Sequence, residues 1–446
     1  MRVSVIGTGY LGTTHAACMA HIGHQVLGVD VDPCRVAKLQ SGEVPFFEPE
    51  LDSMVKDNLS DGRLRFTDSY EQAADFADVH FLAVGTPQNR RDWGADLSCV
   101  HAAIDALASH LNRPTLIAGK STVPVGTARQ LAARVRGIAP AGEGVEVAWN
   151  PEFLREGFAV QDTLHPDRIV VGVESCHDGR GSATLRDVYA PILEHDVPFL
   201  VTNLPTAELV KVAANAFLAT KISFINAIAE VCEVTSADVT ELADALGWDN
   251  RIGRSFLNAG LGFGGGCLPK DIRAFVARAG ELGVGHSVAF LREVDNINMR
   301  QRSRVVEMTR EVCGSLLGTR AAVLGAAFKP DSDDVRDSPA LNVAGQIQLQ
   351  GACVSVYDPK AMENARKLFP TLHYATSLVD ACDGADVVLV LTEWDEFQKL
   401  HPDQLASVTR SKYIIDGRNC LDPQLWRDAR WTYRGMGDAQ ANGQHR

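Results

Sequence analysis

The sequence of 446 residues predicts an α/β protein in which two doubly wound parallel-sheet domains flank a helical segment. Three observations predict it. Short apolar runs ending in glycine or polar turns recur through residues 1–203, helical periodicity without strand signals fills 204–314, and a second series of short apolar runs starts near Arg320, so that 315–446 reads as a separate α/β unit. A prior of about 150 residues per domain agrees with two or three units.

The first strand is Val3-Ser-Val-Ile6, followed by Gly7-Thr-Gly9-Tyr-Leu-Gly12 and a helical stretch to about Ile22. In that context Gly7 makes the tight turn, Gly9 admits a pyrophosphate to the backbone, and Gly12 lets helix pack on strand, with the phosphates at the helix N-terminus. A second strand, Gln25 to Val29, ends in Asp30, at the distance where an acidic side chain accepts hydrogen bonds from an adenosine ribose. This is a Rossmann-type dinucleotide unit. Asp30 would repel a 2′-phosphate and so favours NAD over NADP, although Arg35 is close enough in sequence to serve a phosphate. Further strands at 79–84, 115–118 and 145–149 each end in a polar or glycine-bearing turn, which brings Thr86, Thr122, Glu152 and Glu156 to the ligand-binding edge of a parallel sheet. If Asn150-Pro-Glu-Phe-Leu-Arg-Glu156 is helical, Glu152 and Glu156 share a face as base and positioning group; a solvated face is the plain alternative.

From Thr206 to about Val234 the sequence predicts one long helix, with Leu209, Val212, Phe217, Ile222, Ile225 and Ile228 as its apolar stripe. Lys211 and Asn215, one turn apart, supply a cation and an amide donor suited to a developing oxyanion, or else a snorkelling lysine and an inter-helix contact. A second helix spans about Ala237 to Leu246, and another about Ser287 to Val312. The apolar length of this region suggests a subunit interface.

Between those helices lies Gly260-Leu-Gly-Phe-Gly-Gly-Gly-Cys267-Leu-Pro-Lys-Asp271. Pro269 predicts a helix start, so Cys267 stands at a helix N-terminus, where unpaired amides and the macrodipole favour an anion, with Lys270 adding positive charge. The thiolate is the nucleophilic form of cysteine. In the last third, strands are predicted at 321–324, 354–357, 386–391 and 413–415 without a three-glycine fingerprint, hence without a second dinucleotide. Lys329, Arg336 and Arg418 sit at or after strand ends as cations for a diphosphate.

Composition narrows the classes. Charged residues at 22% and hydrophobic ones at 46% are those of a soluble globular protein, and a net charge of −13 argues against general affinity for nucleic acid or anionic membrane. The ten cysteines show no CxxC pair and no zinc spacing, so reduced thiols and no metal site are expected. Arg2 leads directly into a strand with no signal-type segment, and no stretch reaches about 20 uncharged residues. The expectation is a cytoplasmic protein.

Taken together, the glycine fingerprint, Lys120-Ser-Thr-Val-Pro, Asn150-Pro-Glu-Phe-Leu-Arg-Glu156, Lys211 with Asn215, Gly262 to Asp271 and Phe328-Lys-Pro-Asp-Ser-Asp-Asp-Val-Arg336 resemble the UDP-glucose 6-dehydrogenase family of NAD-dependent nucleotide-sugar dehydrogenases, over nearly the whole chain. The resemblance implies an NAD domain, a central dimerisation region in a homodimer or larger assembly, and a C-terminal domain holding the nucleotide of UDP-glucose. It also implies oxidation of C6 from alcohol to acid with two NAD, through a thiohemiacetal and a thioester on Cys267. Lys211 and Asn215 then stabilise oxyanions, Glu152 is the base, and Thr122 and Asp271 order water and protons. Leu11, Asp30, Arg35, Thr86, Thr122, Glu156, Lys270 and Arg336 correspond to family NAD contacts. Phe153, Leu154 and Arg155 between the two glutamates, the stretch Phe256-Leu257-Asn258-Ala259-Gly260, and Gly264, Lys329 and Arg418 correspond to sugar-nucleotide contacts, and Arg251 to an arginine reaching the neighbouring subunit's substrate. Phe256 replaces a tyrosine and Gly266 a larger residue found in some members. GDP-mannose or another nucleotide sugar as substrate, and a two-electron 3-hydroxy acid dehydrogenase, are the alternatives.

Overall fold

Apolar β-branched runs between glycine and polar turns form strands, and the longer stretches between them form covering helices. A computed structural model describes residues 1–89, 93–174 and 179–438 and divides them into two compact units, Met1–Ala214 with Arg273–Gly285, and Asn215–Ile272 with His286 onward.

In the first unit, β1 (Arg2–Ile6), β2 (Gln25–Val29), β3 (Leu64–Thr67), β4 (Val79–Leu82), β5 (Thr115–Gly119), β6 (Val145–Trp149), β7 (Ile169–Val173) and β8 (Phe199–Asn203) form one sheet in the order β3-β2-β1-β4-β5-β6-β7-β8. The first six strands follow the doubly wound dinucleotide order, whose reversal between β1 and β4 opens a crevice at the strand ends. Every pairing is parallel except β6 with β7. The helix Tyr10–His21, of which nine residues are buried, packs against the sheet with Val3, Val5, Val79 and Phe81 in one core cluster.

In the second unit, β9 (Arg320–Leu324), β10 (Cys353–Tyr357), β11 (His373–Tyr374), β12 (Val387–Val390), β13 (Tyr413–Asp416) and β14 (Thr432–Gly435) form a parallel sheet in the order β11-β10-β9-β12-β13-β14, the same winding again. Its turn mimics the first: the Gly325 amide donates to the Tyr357 carbonyl at 2.8 Å, as the Gly7 amide does to Val29 at 2.7 Å. Asp358, at the position analogous to Asp30, accepts from the amides of Ala326, Ala327, Lys360 and Ala361 and from the Trp394 indole. Five donors from the protein itself occupy that carboxylate.

The predicted long helix runs Leu204–Thr235 and is long and apolar enough, by length and composition, to cross a membrane. Its predicted stripe is partly wrong. Leu209 and Phe217 are exposed, whereas Lys211, Asn215, Ala216, Ala219, Ser223, Asn226 and Ala229 are buried. Hydrogen bonding and close approach choose the inward face: Ser223 donates to the Val294 carbonyl at 2.7 Å and Asn226 accepts the Gly260 amide at 2.8 Å. Val212 and Ile225 of the stripe are buried as well, while Leu209, Phe217 and Phe224 are left outside.

Candidate active site

The dinucleotide turn of the first unit shows why each glycine is there. Gly7 has φ +90°, a Cβ on Gly12 would lie 1.8 Å from the Gly7 carbonyl oxygen, and a Cβ on Gly9 would meet nothing within 4 Å. The space over Gly9 is open toward the N-terminus of Tyr10–His21, whose first amides no side chain caps, which suits a pyrophosphate. Leu11 is half-buried against the core. Asp30 accepts the Thr8 amide at 2.8 Å, the Thr8 hydroxyl at 3.0 Å, the Asp32 amide at 3.0 Å and Arg35 at 3.0 Å. Burial alone would raise its pKa, but those hydrogen bonds outweigh burial and hold it below the ordinary carboxylate value. Arg35 is thus drawn to the carboxylate that disfavours a 2′-phosphate, and the residues fit NAD. Gly12→Ala is expected to weaken NADH binding by about tenfold or more, in a fluorescence titration, by driving a methyl group into the Gly7 carbonyl, with UDP binding by calorimetry unchanged within about twofold.

At the neighbouring strand ends, Thr86 donates to the Thr122 carbonyl at 2.8 Å and ties the two loops together. Residues 150–158 are irregular, so Glu152 and Glu156 share no helical face. Gly157, at φ +79°, turns the chain there. Glu156 is buried. Glu152 instead makes an ion pair with Lys211 at 3.0 Å and accepts the Leu154 amide at 2.7 Å. Lys211 is 6% and Glu152 13% exposed at the side chain, so each charge relies on the other. Phe153 lies beneath the Lys211 ammonium and the Arg168 guanidinium, and Arg155 pairs with Asp162 at 2.7 Å. The far end of this loop is fastened by Glu48, which accepts the amides of Gly157 at 2.7 Å and Ala159 at 2.6 Å and a short hydrogen bond from Tyr10.

The helix carrying the cysteine motif spans Leu268–Glu281, so Cys267 is its N-cap residue: the Asp271 amide donates to the Cys267 carbonyl at 2.9 Å. Cys267 is exposed, and none of the described cysteines is disulfide-bonded. Asp271, 2% exposed, accepts from the Asn215 amide at 2.7 Å and pairs with Lys270 at 3.2 Å. Lys270, Asp271, Asn215 and the cysteine loop are thereby brought together.

The glycine loop is held by its backbone. The Gly260 amide donates to Asn226, the Leu261 amide to the Gly417 carbonyl at 2.7 Å, the Phe263 amide to Asn298 at 2.7 Å, and the Gly265 amide to the Arg336 carbonyl at 2.9 Å. Arg302, 1% exposed, reaches the Phe263 carbonyl and pairs with Asp337 at 2.7 Å. Arg418, predicted as a nucleotide cation, donates to the carbonyls of Gly262, Phe328 and Leu391 and pairs with Glu393 at 3.3 Å, so it also binds the loop to the sheet. Glycine is required at two places above all: Gly262, at φ +89°, would place a Cβ 2.3 Å from the Asn298 oxygen, and Gly264 one 2.4 Å from the Asp337 carbonyl. A Cβ on Gly266 would strike the Arg336 guanidinium, the movable end of a flexible side chain that also pairs with Asp334 at 2.7 Å, so a larger residue there needs only that arginine to shift. Lys329 lies over the Phe328 ring. Of the predicted stretch 256–260, Leu257 and Ala259 point into a core cluster and offer a ligand only their backbone, while Asn258 accepts Arg254 at 2.7 Å and Phe256 sits at φ +66°. Arg251 projects outward at 88% side-chain exposure, paired with Asp249 at 2.6 Å.

Sequence reasoning misses Glu48, Asn226, Asn298 and Arg302. Each is a single polar residue whose partner is remote in sequence, and its only signal is a polar residue interrupting an otherwise apolar or helical stretch.

The family models of the UDP-glucose/GDP-mannose dehydrogenases match in order: the NAD binding domain over residues 1–193, the central domain over 205–300 and the UDP binding domain over 322–423. A UDP-glucose 6-dehydrogenase of Rhizobium meliloti is 43% identical over 419 residues, 94% of this chain and 95% of that protein. The structure of a UDP-glucose dehydrogenase from the archaeon Pyrobaculum islandicum matches at a TM-score of 0.89 and 39% identity, covering 98% of this chain and 97% of its own. A GDP-mannose dehydrogenase of Pseudomonas aeruginosa matches at a TM-score of 0.54 and 26% identity, covering 98% of this chain and 100% of its own. With an NAD-binding first unit, a cysteine-bearing helical segment and a UDP-binding second sheet matched in sequence as well as in fold, this chain belongs to the UDP-glucose/GDP-mannose dehydrogenase family.

Proposed function

We propose that the protein is an NAD-dependent UDP-glucose 6-dehydrogenase that converts the C6 alcohol of UDP-glucose to the carboxylate of UDP-glucuronate, using two NAD and one water. The observation that carries this reading is Cys267 standing exposed as the N-cap of a helix whose first turn supplies Lys270 and Asp271. A two-electron alcohol dehydrogenase needs no such thiol. NAD, when bound, accepts a hydride from C6 in each of the two oxidations.

The chain's own groups carry the rest. Glu152 removes the C6 hydroxyl proton, with the Lys211 ammonium beside it to stabilise the developing alkoxide. Cys267 Sγ bonds to the aldehyde carbon, and the carbonyl oxygen becomes the hydroxyl of a thiohemiacetal. Loss of the second hydride and that hydroxyl proton gives a thioester, with Lys211 and the remaining Nδ2 proton of Asn215 supporting the oxyanion. Water, ordered by Asp271 and Thr122, then adds to the carbonyl; the C–S bond breaks, the carboxylate leaves and the thiol is regenerated. The covalent bond keeps the aldehyde from escaping.

The exposed face of Leu204–Thr235 supports a homodimer. Phe217, Phe224 and Val231, seven residues apart, are 67%, 51% and 52% exposed, and an apolar row of this kind normally marks an interface. Arg251, outward-facing, is the residue proposed to reach the partner's substrate. Phe217→Asp with Phe224→Asp is expected to convert a dimer or larger assembly to monomer in light scattering; retention of the wild-type mass would remove this face as the interface. Activity in the soluble cytoplasm fits the acidic surface charge and the polar groups buried by the long helix.

The substrate is tested with UDP-glucose, GDP-mannose and UDP-N-acetylmannosamine in the presence of NAD. UDP-glucose should be turned over most efficiently. Turnover of GDP-mannose in its place would establish the runner-up, and tight binding of all three without NADH would establish a sensor.

A further inference from the structure

Where β6 meets β7 the first sheet reverses direction, and a single antiparallel pair, Trp149 with Gly172, joins them. The candidate base and its partner stand on opposite sides of this seam. Glu152 leaves from the end of β6, while Lys211 is carried by the helix that follows β8 and packs on β7 at Gly172, where a Cβ would lie 2.5 Å from Ala207. Their ion pair spans the junction, so its geometry depends on something other than the β-ladder.

Lys120, at the end of β5, supplies it. Its ammonium is buried and donates to Asn150 Oδ1 at 3.0 Å, Tyr189 OH at 3.1 Å and the Asn150 carbonyl at 3.5 Å, with the ring faces of Phe81 and Tyr189 at 5.5 and 5.8 Å. The Tyr189 hydroxyl donates to the same Asn150 oxygen at 2.6 Å, and Asn150 Nδ2 donates to the Val170 carbonyl at 2.9 Å, crossing from β6 to β7. An ammonium has three protons for these three acceptors; a neutral amine has two, and a buried charge without a carboxylate contact survives only where rings and oxygens replace its water.

We infer that Lys120 is a positioning residue whose ammonium, through Asn150 and Tyr189, fixes the seam across which Glu152 and Lys211 face each other. The charged and titratable groups around it are Glu152 from the loop after β6, His15 from the first helix and Tyr189 after Arg180–Val188. Burial pushes the lysine down to about 8, opposed by the charge of Glu152, so the clamp weakens on the alkaline side of neutrality.

The test is hydrogen-exchange mass spectrometry on the full-length Lys120→Met and Tyr189→Phe proteins. Amides of 150–158 and 204–212 are expected to exchange about tenfold faster or more, while 3–20 keep wild-type protection. Only the kinetic arm rests on the function proposed above: kcat with UDP-glucose should fall by about tenfold in Lys120→Met while the NADH dissociation constant stays within about twofold. Unchanged exchange at 150–158 in both variants, or faster exchange throughout the unit, would overturn the inference. Tyr189→Phe keeps the lysine and the ring, so it decides the matter if Lys120→Met does not fold. If the exchange result holds but wild-type protein makes no NADH from UDP-glucose, the functional reading falls and the clamp stands.

Discussion

Cys267→Ser is expected to lower steady-state NADH production from UDP-glucose by about 10³-fold or more, because the aldehyde then has no thiol to hold it as a thiohemiacetal and no thioester can form. Folding should be unaffected. Cys267 is exposed, and the hydrogen bond that starts its helix uses its backbone carbonyl, which serine retains. Calorimetric binding of UDP and fluorescence titration of NADH should therefore match wild type within about twofold. Stopped-flow absorbance separates the stages, and the expected trace is a first oxidation without sustained turnover. Multiple-turnover activity within about tenfold of wild type would leave Cys267 without its proposed role.

Lys211→Met should be almost as severe, with kcat falling by about 10²- to 10³-fold, the range for losing one oxyanion donor. Two effects act together. The alkoxide loses its cation, and Glu152, 13% exposed at its side chain, loses the ammonium 3.0 Å away. A carboxylate stripped of its partner in a poorly solvated site is destabilised by about 3–5 kcal/mol at most and loses the ammonium that positions it as a base. The variant should bind NADH normally, since Lys211 pairs with Glu152 and lies over Phe153, neither of which belongs to the Gly7–Gly12 turn. A loss of less than about fivefold in kcat would assign the lysine to packing alone.

Residues whose roles are local in sequence are legible from the sequence itself. Gly7-Thr-Gly9-Tyr-Leu-Gly12 and Asp30 announce their turn through spacing, because the backbone approach and the ribose acceptor lie within one β-α-β unit. Equally local signals place Lys211 and Asn215 on one helix and Cys267 at a helix start. Partnership is what spacing does not reveal. A shared helical face for Glu152 and Glu156 is excluded because Asn150-Pro151 and Gly157 keep that segment irregular, and Glu152 finds Lys211 from a distant helix. Arg418 has the sequence position of a phosphate-binding cation, yet it is engaged with three backbone carbonyls. Side-chain size suggests one stripe for Leu204–Thr235, whereas the hydrogen bond that Ser223 donates and the one that Asn226 accepts decide which face turns inward. The glycines before Cys267 suggest close approach of a ligand. In the structure they also admit Asn298, Asp337 and Arg336 against the loop, so part of their purpose is to let the protein grip its own backbone.

The central claim is a four-electron oxidation carried out on one cysteine. Its most direct test is the number of NADH formed per UDP-glucose consumed, measured to completion with NAD in excess. The account predicts two, with UDP-glucuronate as the only sugar-nucleotide product. One NADH per UDP-glucose, with a free aldehyde as product, would contradict it.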